Sequence, residues 1–404
     1  MGRTERRALF ISPIAPDRTG NGLAMRSGMF LEALARAARV DLLLLPIAGS
    51  TSPPAFAAQL VRHSQTIQVA GRLDTQWQLI SMIGSMPVRL SAFQAYGRGS
   101  RHAAVSLPVL ADIGAATAGA PYDLVHAERL YIADVSLSVP ALVRTLDLDE
   151  DDAWAWRSAA TDETQVWNEA EAMAEDRLLH RAGPQLDALF ISGDADRQTV
   201  VGRHPSLDPI VIPNAISIPT VPERRDDGRT ALFVGSFGYA PNVEGLRWFV
   251  TKVLPLIPGE TDLRLRIVGR DIPATIRELA GVPRIEIVGE VDDLAPLYQT
   301  AALAIAPLRS GGGTRIKVIE ALAHGVPVVA TSTALRGLDV DRTMGWLADD
   351  PEAFAQAILT ALAAADERRT RGMAGHRFAA RSHDRESVVS ALAERFTDLL
   401  GVRW

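Results

Sequence analysis

The chain has 404 residues, 47% of them apolar and 22% charged, which at roughly 150 residues per domain provides for two or three globular domains with sizeable cores. A net charge of −6 gives no electrostatic match to nucleic acid, and the absence of cysteine excludes a disulfide scaffold, thiolate zinc sites, iron–sulfur clusters and a cysteine nucleophile. The apolar run Ala8 to Ile11 is too short for a signal peptide, and no stretch reaches the ~18 apolar residues of a spanning helix, so a soluble, cytoplasmic protein is expected.

Ala8-Leu-Phe-Ile-Ser reads as a buried strand, Pro13 to Gly22 as a turn-rich loop, and Met25 to Ala38 as a helix with Met29, Phe30, Ala33, Leu34 and Ala37 on one face. Val40 to Pro46 follows as a second strand. Further strands are expected at Asp123-Leu-Val-His, Ala188 to Ser192 and Pro209 to Pro213, and in the second half at Ala231 to Gly235, Leu263 to Gly269, Ile285 to Gly289, Leu303 to Pro307 and Pro327 to Thr331. Apolar strands without alternation, separated by helices, imply parallel sheets covered on both faces. Two such blocks give a Rossmann-like domain over 1–217 and another over 218–384. The polar, Pro-bearing stretch Ile218 to Thr230 is the seam, and a C-terminal helix over 385–404 is expected to pack back on the first domain. Ligands of open α/β sheets bind at the carboxyl ends of the strands, so the loops there are the places to look.

Ser310-Gly-Gly-Gly-Thr-Arg-Ile-Lys317-Val-Ile-Glu320 follows a strand and opens a helix. Glycines admit close backbone approach, and free amides at a helix start attract phosphate oxygens. Arg315 and Lys317 place cations in a first turn where the helix dipole disfavours them, unless an anion is bound nearby. Glu320 suits a diol such as a ribose. The plain alternative is a flexible turn with Lys317 and Glu320 as a surface pair. No Gly-Lys-Ser/Thr follows, so this is not a Walker loop.

Gly20-Asn21-Gly22 lies between a strand and a helix with Arg26 in its first turn; the next glycine, Gly28, is three positions late for Gly-x-Gly-x-x-Gly. His126 ends a strand and is followed by Glu128 and Arg129. The run Asp147-Leu-Asp-Glu-Asp-Asp152 reads as a solvated acidic loop rather than a metal site. Between Gly71 and His102, four arginines (72, 89, 98, 101) are interleaved with Trp77, Met82, Met86, Phe93 and Tyr96. That stretch either covers the core or docks an anionic membrane surface or lipid-linked acceptor.

Phe233-Val-Gly-Ser-Phe-Gly-Tyr-Ala-Pro-Asn-Val-Glu-Gly-Leu-Arg-Trp-Phe249, Ile285 to Tyr298 and the Gly-rich loop with Glu320 together resemble family 4 of the retaining glycosyltransferases (GT4-type, GT-B fold), specifically over Leu232 to Asp339. The resemblance implies two Rossmann-like, doubly wound domains facing across a cleft, and transfer of a sugar from a nucleoside diphosphate to an acceptor hydroxyl, with retention and without metal or other cofactor. By the same resemblance Glu320 holds the ribose and Glu290 and Val291 lie beside the base. Gly20, Gly22, Gly235, Ser236, Gly313, Thr314, Arg315 and Ile316 contact the donor and His126 serves the reaction near the sugar, while Arg315 first and Lys317 second are expected to supply the charge for the leaving diphosphate. Glu128 and Arg129 are placed towards the sugar or acceptor. The acceptor is a sugar, a lipid-linked or a small molecule, with a peripheral contact at the inner face of the membrane through 71–102. Two departures stand out: Gly312 occupies the place of the family's first glutamate, and the loop after Val234 carries no early cation. Another GT-B enzyme, such as a nucleotide-sugar epimerase, and a non-catalytic nucleotide-sugar-binding homologue are the competing readings.

Overall fold

The protein is seen in a computed structural model that describes residues 6–47, 54–119, 121–220, 224–312 and 315–401. The chain divides into two compact units, one of Met1–Pro213 with Glu386–Trp404 and the other of Asn214–Arg385.

The first unit holds seven parallel strands: β1 (Arg7–Ser12), β2 (Arg39–Leu44), β3 (Val61–Thr66), β4 (Tyr122–Glu128), β5 (Ala141–Asp147), β6 (Ala188–Ile191) and β7 (Ile210–Val211). Their order is β3-β2-β1-β4-β5-β6-β7, a doubly wound sheet whose direction of winding reverses between β1 and β4. Two of these strands escape the sequence reading. β3 is an edge strand of polar residues (VRHSQT) exposed along most of its length, so it lacks an apolar run. β5 is central, but Arg144 breaks its pattern; that guanidinium turns back to the carbonyls of Ala141 and Val139, at 3.2 and 3.0 Å.

Helix α1 (Gly22–Ala37) starts at Asn21, whose side chain accepts from the Ala24 amide at 2.8 Å. A Cβ at Gly28 would lie 2.0 Å from the carbonyl oxygen of Asp17, so this glycine admits the β1–α1 loop folding back over the helix rather than completing a phosphate motif. Phe30 of α1 meets Phe396 of the C-terminal helix (Arg385–Gly401) edge-on at 6.4 Å, which seats that helix on the first unit. Helices α2 (Thr75–Ser81) and α3 (Met86–Tyr96) pack Trp77 and Phe93 against Trp167 of α4 (Gln165–Ala182). Leu79, Met82, Met86 and Val88 stay exposed, by 56–80%.

The acidic run after β5 is not solvated. Asp147, Asp151 and Asp152 are each at most 3% exposed, and arginines from distant elements meet the run. Arg26 grips Asp147 with two parallel hydrogen bonds of 2.6 and 2.7 Å and gives a third N–H to the carbonyl of Ile212. Arg129 pairs with Asp149, Glu150 and Asp152, Arg101 with Asp152, and Arg203 with Asp151. Local sequence shows only the negative charges, because their partners come from other parts of the chain. Among the described residues no group of three or more His, Asp or Glu has metal-holding geometry.

The second unit has six parallel strands: β8 (Thr230–Val234), β9 (Arg264–Val268), β10 (Ile285–Gly289), β11 (Leu303–Ala306), β12 (Val328–Ala330) and β13 (Gly345–Leu347), in the order β10-β9-β8-β11-β12-β13. Its winding reverses between β8 and β11. Helices α5 (Ala240–Trp248), α6 (Ala295–Thr300) and α7 (Ile316–Ala323) follow β8, β10 and β11. No described helix is long and apolar enough to cross a membrane.

The Arg26–Asp147 pair yields a direct expectation. Both side chains are fully buried, so removing one leaves an uncompensated charge at a cost of about 3–5 kcal/mol. Arg26→Ala should lower the urea midpoint of the unfolding phase that reports on the first unit by a corresponding amount, and Arg26→Met with Asp147→Leu should recover most of it.

Candidate functional site

The reversal between β8 and β11 brings together the two loops that the sequence marks out, Gly235 to Tyr239 after β8 and the Gly-rich loop after β11. Gly313 and Thr314 lie outside the described residues. Helix α7 then runs from Ile316, and its residues 317 and 320 lie three apart, on neighbouring turns of one face.

Lys317 is only partly exposed. Its ammonium donates to Oδ1 of Asn242 at the start of α5 and lies 4.9 Å from the centre of the Phe233 ring. Burial, with Arg315 nearby, lowers its pKa to about 7 against the opposing pull of Glu320. Glu320 accepts from the Tyr298 hydroxyl of α6 at 3.3 Å, and burial raises its carboxyl to about 7 although Tyr298 and Lys317 favour the anion. The Tyr298 ring is stacked on His324 at 4.7 Å. Lys317 and Tyr298 line one small cavity, with Leu232, Val234, Ala306 and Val318. This is not a solvated surface pair. Both groups are held near the midpoint of their titrations, where an incoming anion and a hydroxyl pair could each set a charge.

Arg315 behaves differently from the expectation of a cation aimed at a diphosphate. It is 6% exposed, and its guanidinium turns back on the carbonyls of Gly311 and Gly312, closing the Gly-rich loop on itself. Loop carbonyls left over by a glycine turn are strong acceptors, and the neighbouring guanidinium satisfies them. Lys317, by contrast, turns its ammonium towards the β8–α5 loop, onto Asn242.

Gly235 and Ser236 sit at the head of the β8–α5 loop, where the Ser236 carbonyl accepts from Asn242 Nδ2 at 2.6 Å. Ser310 closes the other side, its hydroxyl donating to Glu244 at 2.9 Å. Glu290 and Val291 follow β10 at the same carboxyl edge of the sheet, with Glu290 exposed. Ile316 is the first residue of α7.

In the first unit the reversal between β1 and β4 brings Gly20 and Gly22, both exposed, to the same edge as the residues that end β4. His126 is not presented to a ligand, which corrects the expectation that it meets a sugar. It is fully buried among Phe10, Phe30, Phe190 and Phe396, stacked on Phe30 at 5.0 Å, and its ring nitrogens meet Thr145 Oγ1 at 2.8 Å and Glu128 Oε1 at 3.3 Å. Burial lowers its pKa to about 3, so the imidazole is neutral. Glu128 is equally buried and is pushed up to about 8 by the same cause, so at neutral pH it is largely protonated. Arg129 is 4% exposed and is taken up by its three carboxylates. Its backbone, at φ 79°, lies in the left-handed region that non-glycine residues rarely adopt. Sequence alone cannot separate such a network from a sugar site, because both put polar residues at a strand end. Sequence reasoning missed Tyr298 and Asn242 as partners of the site; both lie inside motifs it singled out, with nothing local to mark their direction.

In fold, the chain matches sucrose-phosphate synthase from Thermosynechococcus elongatus with a TM-score of 0.68 and 20% identity, covering 98% of this chain and 99% of that one. It matches HepE from Anabaena in complex with UDP and glucose with a TM-score of 0.63 and 14% identity, covering 96% and 99%. Two parallel, doubly wound units in one chain are thus the GT-B fold. In sequence, the chain is 32% identical over 202 residues to a phosphatidyl-myo-inositol mannosyltransferase of Mycobacterium leprae, covering 46% of this chain and 52% of that protein. It is 27% identical over 138 residues to an uncharacterized 44.6 kDa protein in the cps region of Klebsiella pneumoniae, covering 32% and 36%. The alignments thus span about half of the first relative's length and about a third of the second's. Residues 228–364, which include Asn242, Tyr298, Lys317 and Glu320, match the family described as glycosyl transferases group 1.

Proposed function

We propose that the chain is a glycosyltransferase of the hexosyltransferase type, moving a sugar from a nucleoside diphosphate to an acceptor hydroxyl. The observation that carries this reading is the match of 228–364 to glycosyl transferases group 1, over the unit that brings Lys317 and Glu320 to the switch point of its sheet. Glu320 takes the ribose hydroxyls, and Lys317 takes the charge that grows on the diphosphate as the sugar–phosphate bond breaks. A cation placed there gains strength in the transition state and so acts on the rate rather than on binding alone. The GT4-type assignment, retention of configuration and independence of metal belong to the same reading and rest on the resemblance of the motifs. HepE in complex with UDP and glucose makes a UDP-sugar the first donor to try, with a GDP-sugar as the second. With either donor, slow release of nucleotide in excess chelator is the expected result, and acceptor should accelerate it. Release only after Mg²⁺ or Mn²⁺ is supplied would overturn metal independence. Stable donor binding with no release under any condition would favour a non-catalytic homologue, and a changed but unreleased sugar an epimerase.

The acceptor reading includes a peripheral contact at the inner face of the membrane. Its support is the α2–α3 hairpin, where Leu79, Met82, Met86 and Val88 are exposed beside Arg89. Apolar side chains with an adjacent cation suit an anionic bilayer surface. The protein should sediment with vesicles containing phosphatidylglycerol, and Met82→Asp with Met86→Asp should abolish this while leaving donor hydrolysis unchanged. Equal sedimentation of the double variant would remove the hairpin from the membrane reading.

A further inference from the structure

Only two of the 42 lysine and arginine side chains are lysines, Lys252 and Lys317. The chain otherwise uses arginine for its cations, including Arg26 and Arg129, buried against Asp147 and Asp152. At 317 it keeps the compact ammonium, which can lose its proton where a guanidinium does not.

The surroundings of that ammonium are built. Asn242 is 4% exposed. Its Nδ2 donates to the Ser236 carbonyl at 2.6 Å, which fixes the amide plane and leaves Oδ1 facing Lys317 Nζ. Gly235 is the floor of this arrangement. A Cβ there would lie 2.8 Å from Asn242 Nδ2 and 3.1 Å from Lys317 Nζ, so a side chain at 235 would push the amide aside and crowd the ammonium. The ring of Phe233 covers the ammonium from β8. The charged groups that bear on it are Arg315, from the loop before α7, and Glu320, on α7 itself; Asn242 and Phe233, from α5 and β8, are neutral.

We propose that Asn242 is the positioning residue of the site: its amide, oriented by the Ser236 carbonyl over Gly235, holds the Lys317 ammonium beside the β8–α5 loop and so sets its proton affinity and its aim at a donor diphosphate. The diphosphate part rests on the function proposed above; the coupling of Asn242 to Lys317 does not. A neutral acceptor stabilises the ammonium modestly and leaves it able to release its proton. A carboxylate at 242 would favour the charged ammonium more strongly, and loss of the amide would leave burial to favour the free amine.

The test uses the full chain without ligand. Competitive labelling by 2,4-dinitrofluorobenzene as a function of pH, read on the two lysine-containing peptides, gives the midpoint of Lys317 with exposed Lys252 as internal control. Lys317 should titrate near pH 7. Asn242→Asp should raise the midpoint by about one pH unit, a roughly tenfold fall in rate on the acid side. Asn242→Ala should lower it by about half a unit, a roughly threefold rise. Gly235→Ala, which dislodges the amide without removing it, should follow Asn242→Ala. A role in folding alone would not move the midpoint in opposite directions in two variants whose Lys252 rate is unchanged. Midpoints that do not move, or move together in the Asp and Ala variants, would overturn the inference. UDP-glucose or GDP-mannose should then protect Lys317 of the wild type and raise its midpoint. Failure of both to do so, with the opposite shifts intact, would count against the donor reading and leave the role of Asn242 standing.

Discussion

Two ionisable groups on one face of a short helix, both drawn into the protein, are the constraint from which the second unit can be understood. Lys317 and Glu320 each lose hydration, and burial pushes the base down and the acid up until both titrate near 7. Neither group has an ion-pair partner at contact distance to settle it among the described residues, so each is steadied by a neutral neighbour, Asn242 for the base and Tyr298 for the acid. The packing around them follows from that need. Gly235 leaves space for the lysine and its amide, Phe233 offers its ring to the ammonium, and the stack of Tyr298 on His324 holds the hydroxyl where Glu320 can accept from it.

The first unit solves a similar problem in the opposite way. Its five carboxylates after β5 are met by arginines that keep their charge at any physiological pH, in geometries that include a two-fold grip on Asp147. Such a network is fixed and specific, and a missing partner is costly. The second unit instead holds groups whose charge is not fixed at neutral pH, Lys317 and Glu320.

Much of the fold is legible from local sequence, since buried parallel strands such as Leu9 to Ser12 and Ala231 to Val234 are apolar runs bounded by turns. β3, β5 and the three-residue β13 are not, because an edge, an internal arginine and brevity each remove that signal. The helix carrying Lys317 and Glu320 is legible because glycines, cations and an acid share one short stretch. The direction of Arg315 is not, because a guanidinium serves its own loop's carbonyls as readily as a phosphate. His126 and the acidic run are misleading for a single reason: much of their surroundings comes from other elements far along the chain, such as Arg26 and Phe396. Partners that distant leave no local trace.

The central claim is that the carboxylate of Glu320 receives the ribose of a nucleotide held by the second unit. Calorimetry of UDP and GDP, each with its 2′-deoxy and 3′-deoxy form, on the wild type and on Glu320→Ala tests it directly. A hydrogen bond to a charged acceptor contributes ~1.5–3 kcal/mol, or about one to two decades in affinity. The deoxy forms should therefore bind the wild type more weakly by about that factor, and the penalty should largely vanish in the variant, whose acceptor is already gone. Equal penalties in the two proteins would show that Glu320 does not touch the ribose and would contradict the account.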